Sequence, residues 1–192
     1  MNFLAHLFLS FDSETIAVGN FIADFVKGSQ AQEYDVEIQK GIQIHRDIDT
    51  YTDTHPVVKE SKNRLWKDYR HYSSVIVDMY YDHLLAKKWD KYSDEPLREF
   101  TQRNYDFLSS YSSTFPSRAN LTLYHMKSTD WLYNYQFLEG IGTALRGMSR
   151  RASFDSKMEM AVHDLKKDYE LYSTEFDSFF PQIISYIQSI ED

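Results

Sequence analysis

Gly41-Ile42-Gln43-Ile44-His45-Arg46-Asp47-Ile48-Asp49, continued by Thr52-Asp53, reads as an α-helix with an apolar side at Ile42, Ile44 and Ile48. Residues i and i+4 stack on one helical face, so His45 lies over Asp49 and Asp49 over Asp53. A second stretch, Val77-Asp78-Met79-Tyr80-Tyr81-Asp82-His83, repeats the device with Asp78 over Asp82. Two such faces can meet around one small volume. A mixed His/Asp set without cysteine suits a divalent ion that keeps water ligands, because imidazole takes Mn, Fe and Zn while carboxylates take harder ions.

A single His/Asp pair is ordinarily a solvated helix face. The flanks argue for more. Asp78 and Asp82 are set among Val75, Ile76, Val77, Met79, Tyr80, Tyr81, Leu84 and Leu85, a helix apolar nearly all round. Buried carboxylates need a cation or a histidine as partner.

Upstream, residues 2–11 read as an apolar helix or buried segment interrupted by His6, a position usually filled by a hydrogen-bonded core histidine. Residues 13–28 are apolar around Asn20 and Asp24, again i,i+4, and end at Gly28 in the manner of a helix C-cap. Repetition of polar residues inside apolar helices weakens the accidental reading. The central helix spans residues 33–53, and Gly41 in it lets another backbone approach closely. Downstream, Pro56 opens a polar helix over residues 57–71 that carries Lys59, Lys62, Trp66 and Arg70 on one broad face, with Lys67 beside them and Arg64 further round. Such faces are usually solvated surface. As the densest positive cluster of the chain, this one is nevertheless the first choice for docking an acidic partner.

The second Asp-bearing helix covers residues 74–90. Ser93-Asp94-Glu95-Pro96 then caps a helix running to about Ser112, and residues 112–116 form a loop too short to link domains. Further helices are expected at about 117–126, 129–136, 137–149, 153–172 and 174–190. The glycines of residues 140–147 lack phosphate-loop spacing and read as close helix packing, while Arg146, Arg150 and Arg151 form a smaller basic group that could hold a phosphate, with a solvated helix end as the preferred reading. With no alternating strand and no internal repeat, the fold class is all-α, a single-domain helical bundle over residues 1–192.

Composition narrows the function classes. A chain of 192 residues buries a sizeable core without staples, and the absence of cysteine excludes disulfides and thiolate metal sites. A net charge of −8 argues against broad nucleic-acid binding. No apolar run approaches the roughly 20 residues of a membrane span, and the apolar N-terminus lacks a basic n-region and cleavage site. A soluble cytoplasmic protein is expected.

Four blocks together resemble the bacterial acyl carrier protein phosphodiesterases, also called acyl carrier protein hydrolases: residues 1–7, residues 19–28, residues 41–53 and residues 78–83. The resemblance extends over nearly the whole chain. It implies a distant relation to HD-type metal-dependent phosphohydrolases, a His/Asp-bound divalent ion (Mn²⁺, with Mg²⁺ or Fe²⁺ as alternatives), and acyl carrier protein as partner. The implied reaction is hydrolysis of the phosphodiester joining 4′-phosphopantetheine to a serine of holo-acyl carrier protein. Carried onto this chain, Asp24, His45, Asp49 and Asp82 are the main ligand candidates, with His6, Asp78 and His83 as further ligands or orienting groups. Lys27 and Arg46 neighbour these in sequence as contacts to the diester, and Lys59, Lys62 and Arg70 are the docking residues. Where the wider HD pattern has adjacent His-Asp, this chain has Asp82-His83. The competing readings are an HD-like phosphohydrolase of nucleotides or other small phosphoesters, which needs no basic helix, and a non-catalytic helical scaffold, which needs no metal.

Overall fold

The computed structural model describes residues 1–191, and their regular elements are α-helices joined by loops and short 3₁₀ turns, with no strand among the described residues. The all-α expectation holds. In chain order the helices are α1 (Phe3–Phe8), α2 (Glu14–Ile22), α3 (Val36–Thr54), α4 (Pro56–Tyr69), α5 (Ser73–Lys87) and α6 (Leu97–Ser110). There follow α7 (Ser117–Ser128), α8 (Trp131–Asn134), α9 (Leu138–Ser149), α10 (Ala161–Lys167) and α11 (Tyr169–Glu191). Local chemistry sets several starts: the Asn2 side chain accepts the Phe3 N–H at 2.7 Å, Ser13 Oγ accepts the Ile16 N–H at 3.4 Å, and Pro56 sits where a missing N–H costs nothing.

Helix α5 runs through the middle of the molecule, in contact with α1, α4, α9 and α11. That is why it can be apolar nearly all round: Ile76, Val77, Met79, Tyr80, Tyr81, Leu84 and Leu85 are all buried. From α11, Phe176, Phe179, Phe180, Ile183 and Ile187 close the same core. Among the described residues no helix is long and apolar enough to cross a membrane.

Some boundaries differ from the sequence reading. The helix expected over residues 13–28 stops at Ile22, tightens into a 3₁₀ turn at Ala23–Phe25, and Gly28, at φ 56°, opens a second 3₁₀ turn instead of capping the first helix. Residues 153–157 are not helical, because Lys157 adopts a left-handed φ of 54° that a continuous helix cannot contain. The break expected near residue 173 falls at Asp168, so Tyr169 and Tyr172 belong to the long C-terminal helix.

The crossing of α2 over α3 brings the polar residues of both helices to one place. A Cβ on Gly19 would lie 2.1 Å from the Ile38 carbonyl oxygen, and one on Gly41 would lie 2.3 Å from that of Ile16. Only two glycines allow the backbones to touch here, as expected for Gly41. Gly41→Ala must therefore push the helices apart, at a cost of about 1–3 kcal/mol. Urea unfolding should show a lowered midpoint, and an unchanged midpoint would mean that the crossing yields freely.

Candidate active site

Four short segments meet at this crossing: α1 brings His6, α2 brings Asn20, the following 3₁₀ turn brings Asp24, and α3 brings His45 and Asp49. Asn20 is the hub. Its Oδ1 lies 2.7 Å from His6 Nδ1 and 3.1 Å from His45 Nδ1, and its backbone carbonyl is 2.9 Å from His45 Nδ1. Its amide nitrogen donates to the His6 carbonyl at 2.8 Å and to Ser10 Oγ at 3.2 Å, which turns the amide oxygen toward the rings.

Oxygen acceptors at both Nδ1 atoms require N–H there, so a neutral ring carries its lone pair on Nε2. Both Nε2 atoms face carboxylates. His6 Nε2 is 3.3 Å from Asp49 Oδ1, while His45 Nε2 is 3.2 Å from Asp49 Oδ2 and 3.4 Å from Asp24 Oδ1. Lone pair against carboxylate is repulsive unless a cation, proton or metal, lies between them. His6, His45 and Asp49 each present a ligand atom within 4.8 Å of the others, a spacing that bonds of roughly 2 Å to a shared ion can span. The donor set therefore fits a divalent ion.

The same geometry polarises the titrations. Burial and the His45 ring, stacked at 4.1 Å, lower His6 to about 4. Burial opposes charge on His45 too, but Asp24 and Asp49 outweigh it and raise its pKa to about 9. Asp24 is lowered by its contact with His45, and Asp49 is lowered because both histidines outweigh its burial. In metal-free protein the His45 proton helps hold the fold. Since its folded pKa exceeds the ordinary 6.5, that contribution is complete below pH 6.5 and is lost as the pH rises through about 9. Thermal unfolding in chelator should show Tm falling between pH 7 and 9, and His45→Gln should remove that fall. An equal fall in the variant would refute the assignment.

The other candidates are distributed around this cluster. His6, Asn20, Asp24, His45, Asp49, Asp53 and Asp78 line one cavity of about 410 Å³. Asp24, its side chain 63 % exposed, stands at the mouth. Asp53 pairs with Lys62 at 2.5 Å, and Asp78 accepts from the Met1 amino group at 2.9 Å. Asp82 and His83 lie elsewhere. The Asp82 carboxylate accepts the backbone N–H groups of Asn2, Leu4 and Ala5 at 3.0, 2.8 and 3.4 Å. Burial pushes its pKa up to about 7 against the pull of these donors and of the Met1 amino group. His83 Nδ1 meets the Tyr135 carbonyl at 2.7 Å and its Nε2 the Tyr169 hydroxyl at 3.2 Å, and burial lowers its pKa. The hydrogen bonds of the Asp82-His83 doublet thus go to α1, Tyr135 and Tyr169. Lys27, Arg46, Lys59 and Arg70 are exposed, and none of them lines the cavity. The hub role of Asn20 is not read from the sequence, although its place in an apolar helix one turn before Asp24 is the available signal.

The chain has clear relatives among known proteins. The sequence profile described as acyl carrier protein phosphodiesterase matches residues 1–183. A protein of that name from Yersinia enterocolitica is 35 % identical over 190 residues, covering 98 % of each chain. Proteins of the same name from Escherichia coli and Enterobacter are 34 % and 35 % identical over 187 residues, with 96 % of each chain covered. No solved structure matches.

Proposed function

The chain belongs to the acyl carrier protein phosphodiesterase family, and from that membership we infer that it hydrolyses the phosphodiester linking 4′-phosphopantetheine to the serine of holo-acyl carrier protein. The products are apo-carrier and 4′-phosphopantetheine. The observation that carries the metal-dependent form of this reading is the convergence of two histidine Nε2 atoms on the Asp24 and Asp49 carboxylates. These residues would hold one divalent ion, with Mn²⁺ the expected species. Such an ion, when bound, polarises a phosphoryl oxygen and lowers the pKa of water beside it.

The chain's own groups do the rest. Asn20 fixes the tautomer and orientation of both imidazoles through their Nδ1–H groups. Asp24 and Asp49, both held ionised, match the charge of a divalent cation. Asp78 lines the same cavity, but burial outweighs the Met1 amino group and raises its pKa.

Docking of an acidic carrier is supported by Lys59, Lys67 and Arg70, exposed on α4 and its C-cap with no carboxylate within ion-pair distance among the described residues. Lys62 instead neutralises Asp53 at the cavity edge. Reversing the charge of Lys59 and Arg70 should raise KM about tenfold with kcat nearly unchanged, an effect that fades at high salt. A carrier substrate would be met in the cytoplasm. The deciding experiment is intact-mass analysis of holo-acyl carrier protein incubated with the protein and Mn²⁺. Loss of the phosphopantetheine mass, blocked by chelator, is expected; an unchanged carrier would overturn the proposal.

A further inference from the structure

We propose that the cavity between α8 and α9 is the subsite that receives the carrier's pantetheine arm during hydrolysis, an inference that rests on the phosphodiesterase reading. The cavity measures about 810 Å³, within the roughly 300–1,000 Å³ of small-molecule sites. Its position carries the argument. Met148 on α9 lines both this cavity and the one that holds His6, His45 and Asp49, so the two spaces adjoin at a single side chain. A diester cleaved at the His/Asp cluster loses the serine oxygen and keeps its long pantetheine arm on the phosphoryl group, so the arm must extend away from the cluster, and this is a large space next to it.

The lining matches that arm. Trp131, Phe137 and Ala144 offer apolar wall, while Asn134 and Thr143 offer amide and hydroxyl partners. The pantetheine arm alternates methylene and dimethyl carbons with two amides. A purely hydrocarbon occupant fits less well, because Arg146, Arg150 and Arg151 also border the space. Arg146 Nη2 donates to Thr143 Oγ1 at 2.8 Å, and none of the three has a carboxylate within ion-pair distance among the described residues. Guanidinium groups without an ion-pair partner favour an oxygen-bearing chain, whose amide carbonyls accept from them. The basic group that reads in the sequence as a solvated helix end thereby acquires a ligand.

The test has two arms. Holo-carrier whose arm ends in a photoreactive diazirine, bound to the His45→Ala protein so that it stays uncleaved, should form adducts within residues 131–151 on irradiation. Adducts elsewhere, or none at saturating carrier, would overturn the subsite. Separately, Ala144→Trp narrows the cavity, with Thr143→Trp as a second variant at an exposed lining position. In each, the ratio of kcat/KM for full-arm carrier to that for carrier bearing only a phosphoethanolamine stub should fall about tenfold or more. An unchanged ratio would refute the proposal. Wild-type protein that cleaves neither carrier would instead remove the phosphodiesterase reading itself, so the two failures are distinguishable.

Discussion

His45→Ala should lower turnover of holo-acyl carrier protein about 10³-fold or more, equivalent to about 4 kcal/mol of lost transition-state stabilisation. His45 is chosen because its Nε2 touches both carboxylates, 3.2 Å from Asp49 and 3.4 Å from Asp24, so its removal leaves two anions facing each other without a bridging nitrogen. Asp49→Ala should be comparably severe, since Asp49 is the carboxylate that both histidines share. Metal affinity should fall with activity in both variants. Asn20→Leu is a graded control. It leaves every Nε2 and carboxylate in place but removes the side-chain acceptor for both Nδ1 atoms, so a loss of only about 10–100-fold is expected. Steady-state kinetics and metal titration decide. If His45→Ala kept more than a tenth of the wild-type rate, the cluster would not be the reaction centre.

Asp82→Ala should destabilise the metal-free protein on the order of 3–5 kcal/mol. Asp82 is completely buried and its oxygens accept the N–H groups of Asn2, Leu4 and Ala5, donors at the N-terminus of α1 that have no helical partner. A helix of six residues does not hold itself, so this carboxylate is what pins α1, and with it His6, against α5. Urea unfolding in chelator separates a packing role from a ligand role. Asp82→Ala should lose stability without any metal present at pH 9 as well as below it, whereas the metal-free loss of His45→Ala should shrink as the pH rises through about 9. A variant of Asp82 with wild-type unfolding in chelator and lost metal affinity would reverse the assignment and make it a ligand.

The His45–Asp49 pair is legible in the sequence because both residues lie on one helix, and helical geometry alone brings positions four apart onto one face. Asp78 and Asp82 are related by the same spacing and are equally set among apolar residues, yet only Asp78 faces the cavity. No periodicity within α5 distinguishes them. What separates them is which neighbour each meets: the N-terminus of α1 takes Asp82, and the space between α1, α3 and α5 is left to Asp78. His6 likewise reads as a core histidine. It is one, buried and hydrogen-bonded to Asn20, and it also presents Nε2 to Asp49.

The all-α class, the family and the residue types of the site are determined by the sequence alone, because helix periodicity, apolar patterning and contiguous motifs are local properties of the chain. The tertiary structure alone decides which polar residues share one volume, that Asn20 serves both rings, that Asp82 and His83 hydrogen-bond to the start of α1 and to the Tyr135 carbonyl, and that a second cavity adjoins the first at Met148. The physical reason is that these facts depend on contacts between helices far apart in sequence, above all the backbone approach at Gly19 and Gly41. Spacing along one helix specifies a face; only the packing of several helices specifies what that face meets.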